Sequence, residues 1–366
     1  MINTASIIQQ MGQSWMKPLP TDEISSAPKL DNKTQQRLLR ELREAMSDLR
    51  VVNPWSGFFR FVSLGSATVC MGLITWQMSG LVWFMLGAIA TSIIYAFWLI
   101  CNHDATHRTL TGWTWFDTLM PRVISWPMML PIGTYNQLHH LHHGYNGINL
   151  KDPERVQWTE AEYQVAPFYQ RWYVRHQWVI DILIFGSVGL VLKTMANGVK
   201  LQGQLADLRQ QMLVDCFGIL SVQIVIVSLL SALSVDLWRY LLFWVILERG
   251  IGFILQARDH LEHYGMWQKG VSWAQGNYQL TQLYACRNIK TLRWINWLMG
   301  GLPYHAVHHA FPQIASEHLA EAFERIQAIL QRYAMPAMVL DSGYVATSLR
   351  LSRQPRLVGV STIESA

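Results

Sequence analysis

Charge is what this chain of 366 residues has least of. Only 14% of its residues are charged, against about 25% in soluble globular domains, so an ordinary soluble fold is a poor reading. The net charge of +5 is modest, and no basic stripe accompanies it, which sets nucleic-acid binding aside. That excess suits loops facing anionic lipid. Cysteine is equally scarce. Cys70, Cys101, Cys216 and Cys286 stand far apart and form no C-x-x-C, which argues against a disulfide framework, a rubredoxin-type site or an iron–sulfur cluster in this chain. Between Met1 and Leu19 no basic stretch leads into an apolar core, so no cleaved signal peptide is expected. H-E-x-x-H is missing too, which speaks against a zinc-dependent intramembrane protease. No internal repeat of about 20–50 residues is visible.

What is present is apolar and aromatic. Hydrophobic residues make up 51% of the chain, with 17 tryptophans and 13 tyrosines, as aromatic belts at two membrane interfaces require. Residues 1–52 read as a cytoplasmic N-terminal segment. Its run from Thr34 to Arg50 carries leucines at 38, 39, 42 and 49, the pattern of a basic amphipathic helix lying on a membrane surface or packed on the protein. Residues 53–335 read as one membrane domain, and 336–366 as a C-terminal tail.

Within the membrane domain, Gly57–Met78 and Leu81–Cys101 are apolar segments of spanning length, separated only by Ser79 and Gly80. So short a turn makes them an antiparallel hairpin. Arginines 37, 40, 43, 50 and 60 gather before or at its start, which places its tip outside and its ends in the cytoplasm. Leu213–Leu233 and Leu237–Ala257 form a second hairpin with its tip at Ser234 to Asp236. Residues 113–136 are broken by Pro121, Pro127, Pro131 and Gly133, so they are expected to dip into the membrane or lie at its interface. Trp178–Leu192 is short and carries Asp181; it too is assigned to the interface. Parity requires this, because a fifth crossing would put later residues on the wrong side for the site described next. The expected fold is an all-α integral membrane protein with four transmembrane helices in two hairpins, interfacial helices and a cytoplasmic histidine-rich cap.

Thirteen histidines are present, and eleven fall into four clusters. The first is His103 and His107, spaced i, i+4 after the second span. The second is the run Gln137 to Gly144, with His139, His142 and His143 at i, i+3, i+4 and His140 beside them. Such spacing projects three imidazoles from one helical face. The third is His260 and His263 after the fourth span. The last, His305, His308 and His309, repeats the spacing of the second. His176 and His318 stand apart and read as structural.

Convergent neutral imidazoles suit zinc, iron, copper or nickel. Nine well-placed rings exceed the four ligands of one tetrahedral zinc and suit two metal ions. Asp104, Asp152, Glu154, Asp259 and Glu262 are candidates to accept the outward imidazole N–H groups, and Asp259 is alternatively placed to reach a metal through water. His140 and His260 are left as ligands, supporting residues or structural groups. A metal transporter would place its ionisable residues near the mid-bilayer, whereas these follow the span ends. A bis-histidine haem protein would show a Soret band.

H-D-x-x-H at 103–107, H-x-x-H-H at 139–143 and H-x-x-H-H-x-F-P at 305–312 resemble the histidine boxes of the membrane fatty acid desaturase/hydroxylase superfamily. The resemblance runs from about Trp83 to Ala320. It implies a four-span helical protein with a cytoplasmic diiron centre of two ferrous ions, using O2 as co-substrate to attack unactivated C–H bonds. By that resemblance His103, His107, His139, His142, His143, His263, His305, His308 and His309 are the ligands, with no catalytic residue beyond the metal centre. Asp259 stands where acyl-CoA desaturases have an asparagine with a water-mediated role. The stretch from His308 to Ile314 is similar to the acyl desaturases, while Glu262 to Gly265 is similar to a motif of the alkane hydroxylases. Desaturation of a lipid acyl chain is therefore the first expectation, and hydroxylation or ketolation of an alkane, carotenoid or other lipid the second. With no cytochrome b5 motif in the chain, the resemblance implies a separate electron donor of ferredoxin, rubredoxin or cytochrome b5 type with its reductase.

Overall fold

The computed structural model describes residues 30–267, 277–352 and 357–358; the mixed polar stretch before residue 30 and the end of the tail lie outside the described residues. Helix α1 (Asn32–Ala45) begins where Asp31 accepts the Thr34 N–H at 2.8 Å, an N-terminal cap. Leu38, Leu39 and Leu42 are buried in one apolar cluster with Phe323, Ile326 and Leu330. Of the two roles its pattern allowed, α1 takes packing on the protein.

Helices α2 (Pro54–Gln77) and α3 (Leu81–Thr106) form the first hairpin. Pro54 suits the first turn of α2, where no intrahelical N–H is needed, and Asn53 caps it through the Trp55 N–H at 3.1 Å. Gly80, at φ 84°, makes the tight turn that a side chain would strain. Both α3 and the later helix Leu237–His263 run past their apolar windows, carrying histidines on the added turns.

Helix α4 (Thr114–Ser125) contains Pro121 and is followed by a short 3-10 turn at Trp126–Met128, so residues 113–136 are broken as the prolines predict. Helix α5 (Ile132–Tyr145) carries the second histidine cluster. Helices α6 (Glu160–Val165), α7 (Phe168–Val179) and α8 (Gly186–Leu201) follow, with a π-helical turn over Ile180–Phe185 between the last two. Helices α9 (Leu208–Ala232) and α10 (Leu237–His263) follow, joined by a short turn, but they splay apart and do not pack as the expected hairpin: α10 packs on α3 and α8, and α9 on α5. Asp236 caps α10 through the Trp238 N–H at 2.9 Å.

Among the described residues, five helices are long and apolar enough to cross a membrane, the fifth being the continuous stretch Phe168–Leu201. That stretch is not straight. Gly186 takes φ 55°, ψ −142° and lies against Arg249 and Gly252 of α10. Before it, Asp181 accepts His260 Nε2 at 2.9 Å. After it, Gly189 lies beside Gln256, and Lys193 and Asn197 donate to the main-chain oxygens of Glu154 and Pro153. The chain runs down α10 away from its histidine end, turns at Gly186 and comes back.

Helix α9 fully buries only Leu208 and Asp215; Gln211, Met212 and Gln223 are half-buried against the protein, while Phe217, Ile224 and Leu229 on its other side stand exposed. The remaining elements are α11 (Tyr278–Ala285), β1 (Asn288–Lys290), α12 (Arg293–Leu298), α13 (His305–Ala310), α14 (Leu319–Arg332), β2 (Leu340–Ser342) and α15 (Tyr344–Leu351). Strands β1 and β2 pair in parallel, Asn288 opposite Leu340. The part of the tail beyond residue 336 thus joins the fold.

Candidate metal centre

Four elements bring the histidines together. His103 sits in the last turn of α3 with His107 just beyond it; His139, His142 and His143 lie on α5, His263 ends α10, and His305, His308 and His309 lie on α13. Helix α5 is aimed by α9. Asp215 accepts the main-chain N–H groups of Gly133 and Thr134 at 3.2 and 2.7 Å, satisfying donors that a helix start leaves free. Helix α13 is held by Asn288, whose side-chain oxygen accepts the Ala306 N–H at 3.2 Å.

The imidazoles divide into two sets. Nitrogens of His103, His107, His139, His143 and His308 lie within 4.8 Å of one another. A second set joins His263, His305 and His309, with Cys286 at its edge. His142 belongs beside it, its ring centroid 4.7 Å from His263 and 5.0 Å from His309. The sets share a wall where the rings of His143 and His309 stack at 4.1 Å.

All nine rings that the spacing marked are therefore in one place; His140 stands at their edge, its ring 5.6 Å from that of His107, and the other three are elsewhere. His140 is turned to the Asn136 carbonyl at 2.6 Å on an exposed face. His260 meets the Gln256 carbonyl and Asp181, His176 meets the Trp172 carbonyl, and His318 lies 3.8 Å from Glu317.

The donor set fits metal ions. His143 Nε2 lies 3.1 Å from His139 Nε2 and 3.2 Å from His308 Nε2, and His305 meets His263 Nε2 to Nε2 at 2.9 Å. Nitrogens this close repel through their lone pairs or compete for one proton. The Nε2 atoms of His103, His107, His142 and His309 are buried, and among the described residues nothing hydrogen-bonds them. Buried polar atoms left so are costly, and a cation at each centre satisfies them. Burial, then the positive charge of neighbouring groups, pushes His107, His143, His305, His308 and His309 well below the ordinary histidine pKa. That direction favours the neutral imidazole a metal ligand needs. His142 goes the other way: burial opposes its charge, but Asp152 and Glu154 prevail and push it up to about 9.

The outward nitrogens of His142 and His139 are hydrogen-bonded to carboxylates, while those of His305 and His103 have a carboxylate close by without a hydrogen bond among the described residues. His142 Nδ1 donates to Asp152 at 2.8 Å, and His139 Nδ1 lies 3.1 Å from both Glu154 and the Tyr135 hydroxyl. His305 Nδ1 stands 3.2 Å from Glu262, which also pairs with Arg258 at 2.7 Å. Asp104 lies 3.6 Å from His103 Nδ1 and pairs with Arg60. His263 Nδ1 faces Cys286 Sγ at 3.7 Å. Of the five carboxylates anticipated, Asp259 alone is not set on an imidazole by these contacts; it lines the adjoining cavity.

Several of these partners escape sequence reasoning. Tyr135 and Arg258 had a signal, since each precedes its partner, His139 or Glu262, by one helical turn. Arg60 and Cys286 had none, being distant in the chain and near no motif. That cavity, of about 120 Å³, lies against the first set; Leu99, Leu130, Ile132, Leu190 and Leu255 line it with His103. Its walls draw on both segments read as interfacial.

A fatty acid desaturase family model matches residues 74–340. Among similar proteins, a Δ8-(E)-sphingolipid desaturase of Kluyveromyces lactis is 19% identical over 82% of this chain and 56% of its own length. An sn-1 oleoyl-lipid 12-desaturase of Picosynechococcus is 22% identical over 82% of this chain and 86% of its own. An omega-3 fatty acid desaturase of Vigna radiata is 22% identical over 65% and 63%. The chain thus spans little more than half the length of the first.

Proposed function

The chain belongs to the fatty acid desaturase family, and from that premise we propose that it is an O2-dependent membrane enzyme introducing a double bond into a lipid acyl chain. The observation that carries this is the pair of imidazole sets, one of which opens through His103 onto an apolar cavity. In this reading, His103, His107, His139, His143 and His308 hold one iron, and His142, His263, His305 and His309 hold the other. Two ferrous ions would supply the reduction of O2 and the removal of hydrogen from an unactivated methylene, which zinc cannot do.

The chain's own residues do the rest. Asp152, Glu154, Glu262 and Asp104 orient the imidazoles. The leucines and Ile132 of the cavity take the acyl chain, exclude water and bring one methylene beside His103. Walls built largely from leucines, Ile100 and Ile132, with His103 and the charged Glu154, Lys193, Arg258 and Asp259 also in the lining, suit a substrate that is mostly hydrocarbon. Electrons come from a separate ferredoxin, rubredoxin or cytochrome b5 type donor.

Four crossings, rather than five, put the site on one side. The turn at Gly186 and the return of Lys193 and Asn197 to Pro153 and Glu154 support a re-entrant α7–α8 whose two ends share the histidine side. With arginines gathered before α2, that side is the cytoplasm. Residues 53–335 then form one membrane domain that 1–52 and 336–366 flank.

The test is elemental analysis of detergent-purified protein expressed with ample iron, followed by lipid feeding. About two irons per chain without a haem band, and a product lighter by about 2 mass units, are expected. A gain of about 16 or 14 units would instead make it a hydroxylase or ketolase. One zinc, or no iron, would overturn the diiron reading.

A further inference from the structure

Beyond residue 340, where the family match ends, the chain turns back onto the histidine site. Strand β2 pairs with β1, which leads into the α13 histidines. Asp341 receives Arg287 Nε at 2.7 Å. Arg287 in turn donates to the carbonyls of Leu261 and Tyr264, and its main-chain N–H to Glu262 O at 2.8 Å. The end of α10, with His263 on it, is thereby tied to β2. Leu351 closes the segment by burial among Val156, Leu261, Tyr264 and Ile289.

Between these anchors stands Tyr344. Its hydroxyl donates to Glu262 Oε1 at 3.2 Å. The other oxygen of the same carboxylate faces Arg258 at 2.7 Å and His305 Nδ1 at 3.2 Å. Burial holds the Tyr344 phenol well above its ordinary pKa, which keeps its proton on the oxygen that faces Glu262. A carboxylate gripped from one side by an arginine and from the other by a phenol has one orientation, and that orientation faces His305.

We propose that Tyr344 is a positioning residue of the metal centre, acting through Glu262 to set the His305 ring, and that β2 and α15 are the strap that holds it there. The proposal rests on the reading of His305 as a metal ligand. Changes in residues that orient ligands lower metal affinity or activity about 10–100-fold, and Tyr344 falls in that class although helix α14 (Leu319–Arg332) and strand β2 separate it in sequence from His309.

The experiment compares the full-length parent, Tyr344→Phe, Glu262→Gln and the double variant in detergent. Iron(II) affinity is read by chelator competition, and the visible spectrum is read after loading with cobalt(II). Tyr344→Phe keeps the ring and its packing, so thermal stability should hold while iron affinity falls about 10-fold or more and the cobalt bands shift. In the Glu262→Gln background the same change should add nothing, because the phenol acts through that carboxylate. A Tyr344→Phe protein with the parent's affinity and spectrum overturns the proposal. So does a Tyr344→Phe loss that persists in full beside Glu262→Gln. A parent that binds neither iron nor cobalt overturns the ligand reading itself and the proposal with it, so the two failures are distinguishable.

Discussion

Asp215 and Thr134 meet across two helices: the main-chain N–H and the hydroxyl of Thr134 both donate to one Asp215 oxygen, at 2.7 and 2.8 Å. The other oxygen takes Gly133 N–H and Trp126 Nε1 at 3.2 and 3.1 Å. An acid buried in a largely apolar helix thus caps the helix that carries His139, His142 and His143.

Asp215→Ala should leave those donors buried without partners, at a cost of about 1–3 kcal/mol for each group left unsatisfied. The expected result is a lower thermal midpoint in detergent and a reduced iron content, since the start of α5 loses its anchor. Unchanged midpoint and iron content would show that α5 is aimed by its other contacts.

Asp152 is the acceptor for His142 Nδ1 at 2.8 Å, and its Oδ1 also takes the Glu154 N–H at 2.9 Å. Asp152→Asn retains the shape and an acceptor oxygen but loses the charge. Iron affinity measured by chelator competition should fall about 10–100-fold, short of the complete loss expected for His142→Ala. His140→Ala is the control. Its Nδ1 is taken up by the Asn136 carbonyl and its ring only borders His107 from an exposed face, so it should keep both iron and activity, and loss of metal there would redraw the ligand set.

The histidines were legible because their chemistry is local. Spacing of i, i+3, i+4 puts His139, His142 and His143 on one face of α5 and His305, His308 and His309 on one face of α13, whatever the helices pack against. The apolar helices and their short turns were legible for the same reason, as both are properties of one segment, but which helices pack together was not: α10 packs on α3 rather than on its neighbour α9. What stayed hidden depends on pairing between segments. The leucines of α1 announce an apolar face but not that Phe323 and Ile326 cover it. Asp215 reads as an anomaly inside a span until the start of α5 is seen beside it. Residues 340–351 have no long periodic run at all, and their attachment to Arg287 and Glu262 exists only after β1 and β2 pair.

The same distinction bears on Phe168–Leu201, which passes as a span by length and composition yet bends at Gly186. A backbone at φ 55°, ψ −142° admits glycine and strains other residues, and a Cβ there would run into the Arg249 guanidinium. If the segment is re-entrant, its two ends face the same compartment. Single cysteines at Tyr169 and Gln202, introduced after Cys70→Ser and Cys216→Ser remove the exposed native thiols, should both react with a membrane-impermeant maleimide from the cytoplasmic side of inverted vesicles and neither from the opposite side. Labelling from opposite sides would mean a fifth crossing. That crossing would put His263 and the α13 histidines across the bilayer from His103 and His107, in conflict with the ring contact of His103 and His308 at 4.4 Å. The labelling therefore tests the topology and the shared site together.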